Sequence, residues 1–390
     1  MRNFDWWDLP GPSNFIARIS EDIEAGKNVV LVCPNEFKDE VVSCVGESIR
    51  HYFYIEKVDL SASGEEPSAP VPADPLIYLC AKFMPDGDHI EPSFQILLSE
   101  PVFQGRLIWI EGLRSADVPK WILFMERYSS ACKNYPTTNR ALFCLVMDSA
   151  CSSIRARGDV YLATHEMEGC IDGLDMNLYS SFLMTKSRKS MADFERRLIA
   201  RTIASIALWD REIAEKLSAA DEDTAFAPHE ILTNLAVSRG WDRTANGVKP
   251  HGAVQKFEGA REESSAFLAV KGNIQALSKR VWSAQVSQIL PVIEEMRLMI
   301  IEKKEVRKLL KVPFTTSFGE EINDHTEFEI GHIAYLLQGA YLPGGYGRLK
   351  SIVYNMRHAR NELAHLKILN YDIIKNFGFA SAYEYIKNLI

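Results

Sequence analysis

The chain has 390 residues and a net charge of −8 at pH 7, with 47% hydrophobic and 25% charged residues. That length is too great for one small core and implies two or three domains of ordinary globular composition. No run reaches the roughly 18 uninterrupted apolar residues that cross a bilayer, and the first eight residues lack a basic-then-apolar leader pattern, so a cytoplasmic protein without a membrane partner is expected.

The charge is uneven. Residues 266 to 390 hold 16 Lys and Arg against 12 Asp and Glu, whereas residues 1 to 265 hold 28 against 40. This excludes a protein that coats nucleic acid along its whole length, and it leaves a basic C-terminal part able to meet RNA. The seven cysteines form no C-x-x-C pair, and several lie in apolar runs such as Val29-Val30-Leu31-Val32-Cys33. They are read as reduced core thiols, with no zinc site and no cofactor implied.

In chain order, Trp6-Trp7 and the following Leu9-Pro10-Gly11-Pro12 are read as a packed lead-in. Residues 29 to 33 are rich in valine and follow a turn, as a buried strand does. Apolar runs at residues 76 to 80, 107 to 110 and 141 to 147 are read as further strands, with helices predicted at 36 to 53 and 118 to 132. Strands alternating with helices predict a mainly parallel sheet covered on both faces. Residues 61 to 74 are read as a surface loop. The order resembles an AAA-type or STAND-type P-loop ATPase: Pro34-Asn35-Glu36-Phe37-Lys38-Asp39 stands where the phosphate loop would be, residues 107 to 111 resemble a Walker B strand ending in Glu111, and residues 141 to 148 a sensor strand. The glycines and the Lys-Ser/Thr pair of G-x-x-x-x-G-K-[ST] are missing, so no backbone cradle or Mg2+ hydroxyl is provided. The resemblance therefore implies a degenerate P-loop domain over residues 1 to 150, without ATPase activity, with Lys38 and Glu111 as the only nucleotide-site remnants.

The segment Asp159 to Met184, with Asp172-Gly173-Leu174-Asp175, resembles the small helical or winged-helix part that follows such cores, which implies a helical or winged-helix-like middle domain over residues 151 to 250. Phe194, Leu198, Ile199, Thr202 and Ile206 recur at helical spacing, and another helix is predicted over 229 to 237. Residues 239 to 252, with three glycines and Pro250, break the pattern and suggest a domain boundary. Helices are then predicted at 263 to 288 and 290 to 311, or as one long helix through Pro291, followed by a loop over 312 to 326 and helices at 327 to 342 and 346 to 366.

The last of these carries the chemistry. At about 100° per residue, with Leu349 at zero, Leu349, Ile352, Val353, Met356, Ala359 and Leu363 fill one apolar arc. Arg360 falls inside that arc at about 20°, while Asn361 and His365 share an adjoining face at about 120° and 160°. A guanidinium in a packing face needs a partner or a wet cleft. Either a carboxylate such as Glu329 pairs it, or the arc is a dimer interface where two arginines converge. His332 is read as a surface or helix-capping histidine.

The run Arg360-Asn361-Glu362-Leu363-Ala364-His365, after the preceding helices and Glu329-Ile330-Gly331-His332, resembles the R-N-x-x-x-H form of the HEPN ribonuclease motif over roughly residues 263 to 390. The resemblance implies an α/β plus all-α protein ending in an HEPN helical bundle. It would dimerise to form a metal-independent ribonuclease cleft. Arg360 would hold the scissile phosphate, His365 would act as acid or base toward the 2′-hydroxyl, and Asn361 would orient substrate or histidine. Arg357 and Lys367 would flank the substrate. RNA is the implied substrate, a second copy the implied partner, and a prokaryotic antiviral or toxin-type system the implied setting. A non-catalytic subunit binding partner proteins of a defence complex is the alternative.

Overall fold

The computed structural model describes residues 4–49, 53–61, 74–85, 91–151, 154–243, 249–316 and 319–389. Contacts divide the chain into two compact units, residues 1–172 with 254–261, and residues 173–253 with 262–390. The helices expected as a separate middle segment thus share a unit with the C-terminal ones.

The first unit contains α1 (Pro10–Glu24), β1 (Asn28–Cys33), α2 (Lys38–Ile49), β2 (Tyr54–Asp59), α3 (Pro75–Phe83), α4 (Phe94–Ser99), β3 (Arg106–Glu111), α5 (Val118–Ala131), β4 (Leu142–Asp148) and β5 (Leu162–Glu166). The strands form one sheet in the order β2-β3-β4-β1-β5, with every neighbouring pair parallel. In register, Val30 lies opposite Leu145 and Val29 opposite Ala163. Alternate side chains go to opposite faces. Val30, Val32, Ile108, Ile110, Phe143 and Leu145 join Trp121, Met125 and Tyr128 of α5 in one core. Val29, Leu31, Leu107, Trp109, Cys144 and Val146 join Phe15, Ile19 and Ile23 of α1 and Val41 and Val45 of α2 in the other. This is the expected parallel α/β sheet with both faces covered, an architecture consistent with a P-loop-like domain.

Two details differ from the sequence reading. The run at residues 76 to 80 is helical, because Asp74 accepts a hydrogen bond from the Leu76 N–H and Pro75 occupies the first turn. Its place in the sheet is taken by β2 and β5, which the apolar runs did not mark. The loop expected at 61 to 74 lies, from residue 62 to 73, outside the described residues. None of the seven cysteines is joined in a disulfide, and five of them are buried, in line with the reading of core thiols. Trp6 is fully buried, which bears out the packed lead-in.

The second unit is helical: α6 (Gly173–Ser187), α7 (Asp193–Ala207), α8 (Arg211–Ala219), α9 (Glu222–Phe226), α10 (His229–Ser238), α11 (Ser265–Val270), α12 (Ile274–Glu302), α13 (Lys304–Arg307), α14 (Ile330–Gln338), α15 (Leu349–Ala364), α16 (Tyr371–Phe377) and α17 (Phe379–Lys387). A two-stranded ribbon, β6 (Val254–Phe257) and β7 (Ala260–Glu263), of which residues 254–261 belong to the first unit, precedes α11 in the chain, and a short antiparallel pair of the second unit, β8 (Phe314–Thr315) and β9 (Glu321–Ile322), lies between α13 and α14. Helix α12 runs through Pro291, as the single-helix alternative has it, but it spans only Ile274–Glu302: α11 and a turn precede it, and the basic residues after Glu302 begin a separate short helix. Its buried positions include Val281, Ala284, Ile289, Ile293, Met296 and Ile300, and it packs on α7, α11, α15 and α17. No helix among the described residues is long and apolar enough to cross a membrane.

Candidate active site

The six arc residues of α15, Leu349, Ile352, Val353, Met356, Ala359 and Leu363, are all buried. They pack inside the chain, against α14 and α12. The arc is therefore not a free face for a second copy. The end of α15 is tied down by α12: Trp282 donates its indole N–H to the Leu363 carbonyl at 2.7 Å. Buried Gln285 donates from Nε2 to the Leu369 carbonyl at 2.6 Å and accepts from the Leu369 N–H at 2.8 Å. One amide thus satisfies both backbone groups of Leu369 in the segment leaving the motif, which would otherwise be buried without partners.

Arg360 escapes the arc by pairing with Glu329, the partner suggested by the sequence. Its Nη2 lies 3.1 Å from Glu329 Oε2, with the two side chains 40% and 62% exposed. Glu329 is the residue that opens α14, where its N–H donates to the His332 ring at 3.2 Å. His332 is thus the helix-capping histidine expected. Arg360 and Glu329 line a polar hollow of about 200 Å³ with Glu294, Arg297, Thr326 and Glu327. A larger hollow, about 620 Å³, lies at the start of α15 beside Arg348 and Tyr385 and contains no motif residue.

Asn361 and His365 do not reach that polar hollow. They sit on the outward side of α15, Asn361 half-buried and His365 exposed as the residue that closes the helix. The next residue, Leu366, holds a left-handed φ of 59° and turns the chain away. Within one chain, Arg360 and His365 are therefore separated by about 140° around the helix axis. Lys367 is engaged with Glu362 at 3.1 Å, and Arg357 is exposed.

One pattern escaped the sequence reading. Tyr354, His358, Asn361 and His365 follow one another at intervals of four, three and four, placing them in a single outward stripe with Arg357 beside it. Among the described residues, none of these five side chains has a hydrogen-bond or ion-pair partner, whereas their polar neighbours do: Arg360 has Glu329, Glu362 has Lys367, and Lys350 binds the Gln338 and Ala340 carbonyls. Helical spacing alone would have revealed the stripe.

At the other candidate position, β1 runs through Pro34 into a tight 3₁₀ turn, Asn35–Phe37, and Lys38 opens α2. The lead-in covers this turn. Trp6 stacks on Phe37 at 6.2 Å between centroids, Trp7 meets it edge-on at 6.1 Å, and the Trp7 indole donates to Glu40 at 2.6 Å. The first turn of α2 carries Asp39 and Glu40, which repel phosphate. Glu111 ends β3, and burial raises its pKa above the ordinary carboxylate range, with Asp39 and Asp59 adding to the rise and Lys57 and Lys38 opposing it. Burial likewise pushes the Cys33 thiol up to about 12, with Lys38 opposing and Asp148 and Glu36 adding. Lys38 thus lies within electrostatic reach of Glu111 and Cys33, with Asp39, Glu36 and Asp148 acting on the same groups. No group of three or more His, Cys, Asp or Glu among the described residues is arranged to hold a metal.

No protein family model matches this chain, and no curated protein matches it.

Proposed function

We propose that the protein is an HEPN-type endoribonuclease whose cleaving groups are Arg360, Asn361 and His365, in the setting of a prokaryotic antiphage or toxin-type system. The observation that carries this reading is the state of α15. Its apolar arc is used for packing inside the chain, yet the chemistry-bearing residues at its end are left outward and unpartnered in the case of Asn361 and His365. Exposed imidazole and amide groups held on an anchored helix end are free to meet a ligand and are positioned by a rigid element.

The angular separation of Arg360 and His365 gives the second copy its role. Two copies meeting over the ends of α15 would set the arginine of one against the histidine of the other. His365 would take the proton of the RNA 2′-hydroxyl as that oxygen attacks phosphorus, and the histidine of the other copy would return a proton to the departing 5′-oxygen. Arg360, released from Glu329, would neutralise the charge on the non-bridging oxygens. The first unit would dock or sense a partner, with its degenerate phosphate turn capped by Trp6 and Trp7.

Cleavage of end-labelled tRNA and total RNA in EDTA tests the reading. Wild type should cut, and His365→Ala and Arg360→Ala should each lose about 10²- to 10⁴-fold in rate. Equal cutting by all three, or none by wild type, would sink it. The coverage of the phosphate turn by the tryptophans favours one other reading, a non-catalytic subunit whose two units bind partner proteins. Under that reading, overexpression of wild type and of His365→Ala would affect growth equally.

A further inference from the structure

Resting on the ribonuclease reading, we propose that the outward face of α15 is a track for unpaired RNA, with a base stacked on Tyr354 and a phosphate held by Arg357.

The face is built by spacing. With Leu349 at zero, Arg357, Asn361, Tyr354, His365 and His358 fall at about 80°, 120°, 140°, 160° and 180°, a band about 100° wide. At about 1.5 Å per residue, Tyr354 stands some 10 Å from Asn361 and 16 Å from His365 along the axis. A chain lying on this band would run from the tyrosine to the histidine. Tyr354 is 67% exposed, and a large ring left in water beside well-buried neighbours at Val353 and Met356 is not part of the core. Its hydroxyl has no partner among the described residues, so no hydrogen bond fixes the ring to the protein.

Charge selects the occupant. Glu362 is the one carboxylate in α15, and Lys367 neutralises it. The band itself holds a free guanidinium, two imidazoles, an amide and a phenol, with no acid. Such a face attracts an anion and supplies a flat ring for a base. The two together match single-stranded nucleic acid, in which a basic path follows the backbone and aromatic rings take successive bases. In a duplex the bases are already stacked on one another, and the deep major groove keeps their edges from side chains, so the ring gains little there. The track therefore favours unpaired segments, and the motif would cut loops and single strands.

Binding by the full chain tests this, measured in a His365→Ala background so that the probe survives. The probes are a fluorescently labelled 12-nucleotide RNA of mixed sequence and its duplex, with polarisation as readout. Tyr354→Ala should weaken single-strand binding about 5- to 100-fold and leave duplex binding unchanged, while Tyr354→Phe, which keeps the ring, should stay within about twofold of the parent. Arg357→Ala should reduce the salt dependence of binding by about one phosphate contact. Unchanged single-strand binding in Tyr354→Ala, or no binding of the single strand by the parent, overturns the track. So does a shift of Tyr354→Ala from dimer to monomer in sedimentation, which would make the face a contact between copies. Failure of the parent reading looks different: binding that depends on Tyr354 with no His365-dependent cleavage would leave the track and remove the nuclease.

Discussion

Leu366 follows His365 with φ at 59° and its side chain 70% exposed. The left-handed region costs a residue with a Cβ about 1–2 kcal/mol, and an exposed leucine recovers little of that by burial. Leu366→Gly should therefore raise stability by up to about 1 kcal/mol in urea unfolding, less the entropy that glycine adds to the unfolded chain. A drop in stability would mean that the leucine makes contacts outweighing the strain. At the same scale, the Arg360–Glu329 pair is solvent-screened and contributes at most about 1 kcal/mol. Glu329→Gln should consequently leave the melting temperature within a few degrees of wild type. If cleavage needs Arg360 on the phosphate, the same variant should raise the cleavage rate or leave it unchanged. A rate that falls with stability intact would place Glu329 among the groups that assist cleavage.

At the scale of elements, the fastening of α15 to α12 depends on Gln285. Replacing it with leucine preserves volume but strands the buried Leu369 N–H and C=O, each costing about 1–3 kcal/mol. Gln285→Leu should lower unfolding stability by about 2–4 kcal/mol and speed hydrogen exchange in residues 363 to 370 first. Exchange that rises evenly across the second unit would show that the fastening is not local. How much of each element the sequence revealed follows from burial. Strands β1, β3 and β4 are covered on both faces and read as unbroken apolar runs, so they were legible. Strands β2 and β5 are not so covered: Tyr54–Asp59 has one buried residue, Val58, and Leu162–Glu166 has one, Leu162. Their charged, mixed sequences give neither an apolar run nor clean alternation. Residues 76 to 80 failed in the opposite direction, because a short apolar run has no period of its own and the cap at Asp74 decided the outcome. On α15 the buried arc and the Glu329 partner were legible, since both follow from a 3.6-residue repeat and a stranded charge. The outward stripe follows the same repeat, but its polar and aromatic members carry no hydrophobic signal, so in the sequence only their spacing marks it.

At the scale of the molecule, acidity acts on the first unit through α1 and β5. Burial pushes the Asp22 carboxyl upward, but hydrogen bonds from Lys27 and His165, with their charges, outweigh it and hold the group below its ordinary 3.8. Burial, aided by the Arg18 and Lys27 charges, holds His165 below its ordinary 6.5 against the opposing effect of Asp22. Both groups bind protons more readily when unfolded. As pH falls through 6.5 the unfolded state gains a proton at His165 first, and the stability supplied by Asp22 is lost later, as pH drops through its depressed folded value. Urea midpoints should therefore fall from pH 7 to pH 5, and His165→Gln should flatten that fall. A slope that is identical in the variant would assign the acid sensitivity elsewhere. Oligomeric state belongs to this scale too. If the cleaving site spans two copies, specific activity should rise with protein concentration until dimers saturate, as followed by sedimentation, whereas activity independent of dilution would place all cleaving groups in one chain.

Helix α12 has a mechanical consequence. Its 29 residues make a rod about 44 Å long. It is fixed to α7 and α11, to α15 and the segment after it through Trp282 and Gln285, and to α17 near its far end, where Lys303 reaches the Leu389 carbonyl. A rod gripped at so many points does not bend to order. A force applied at α7 would be passed along the rod to the end of α15 rather than absorbed by bending. If the proposed cleavage site lies at the end of α15, its control would come from covering that end or from keeping two copies apart.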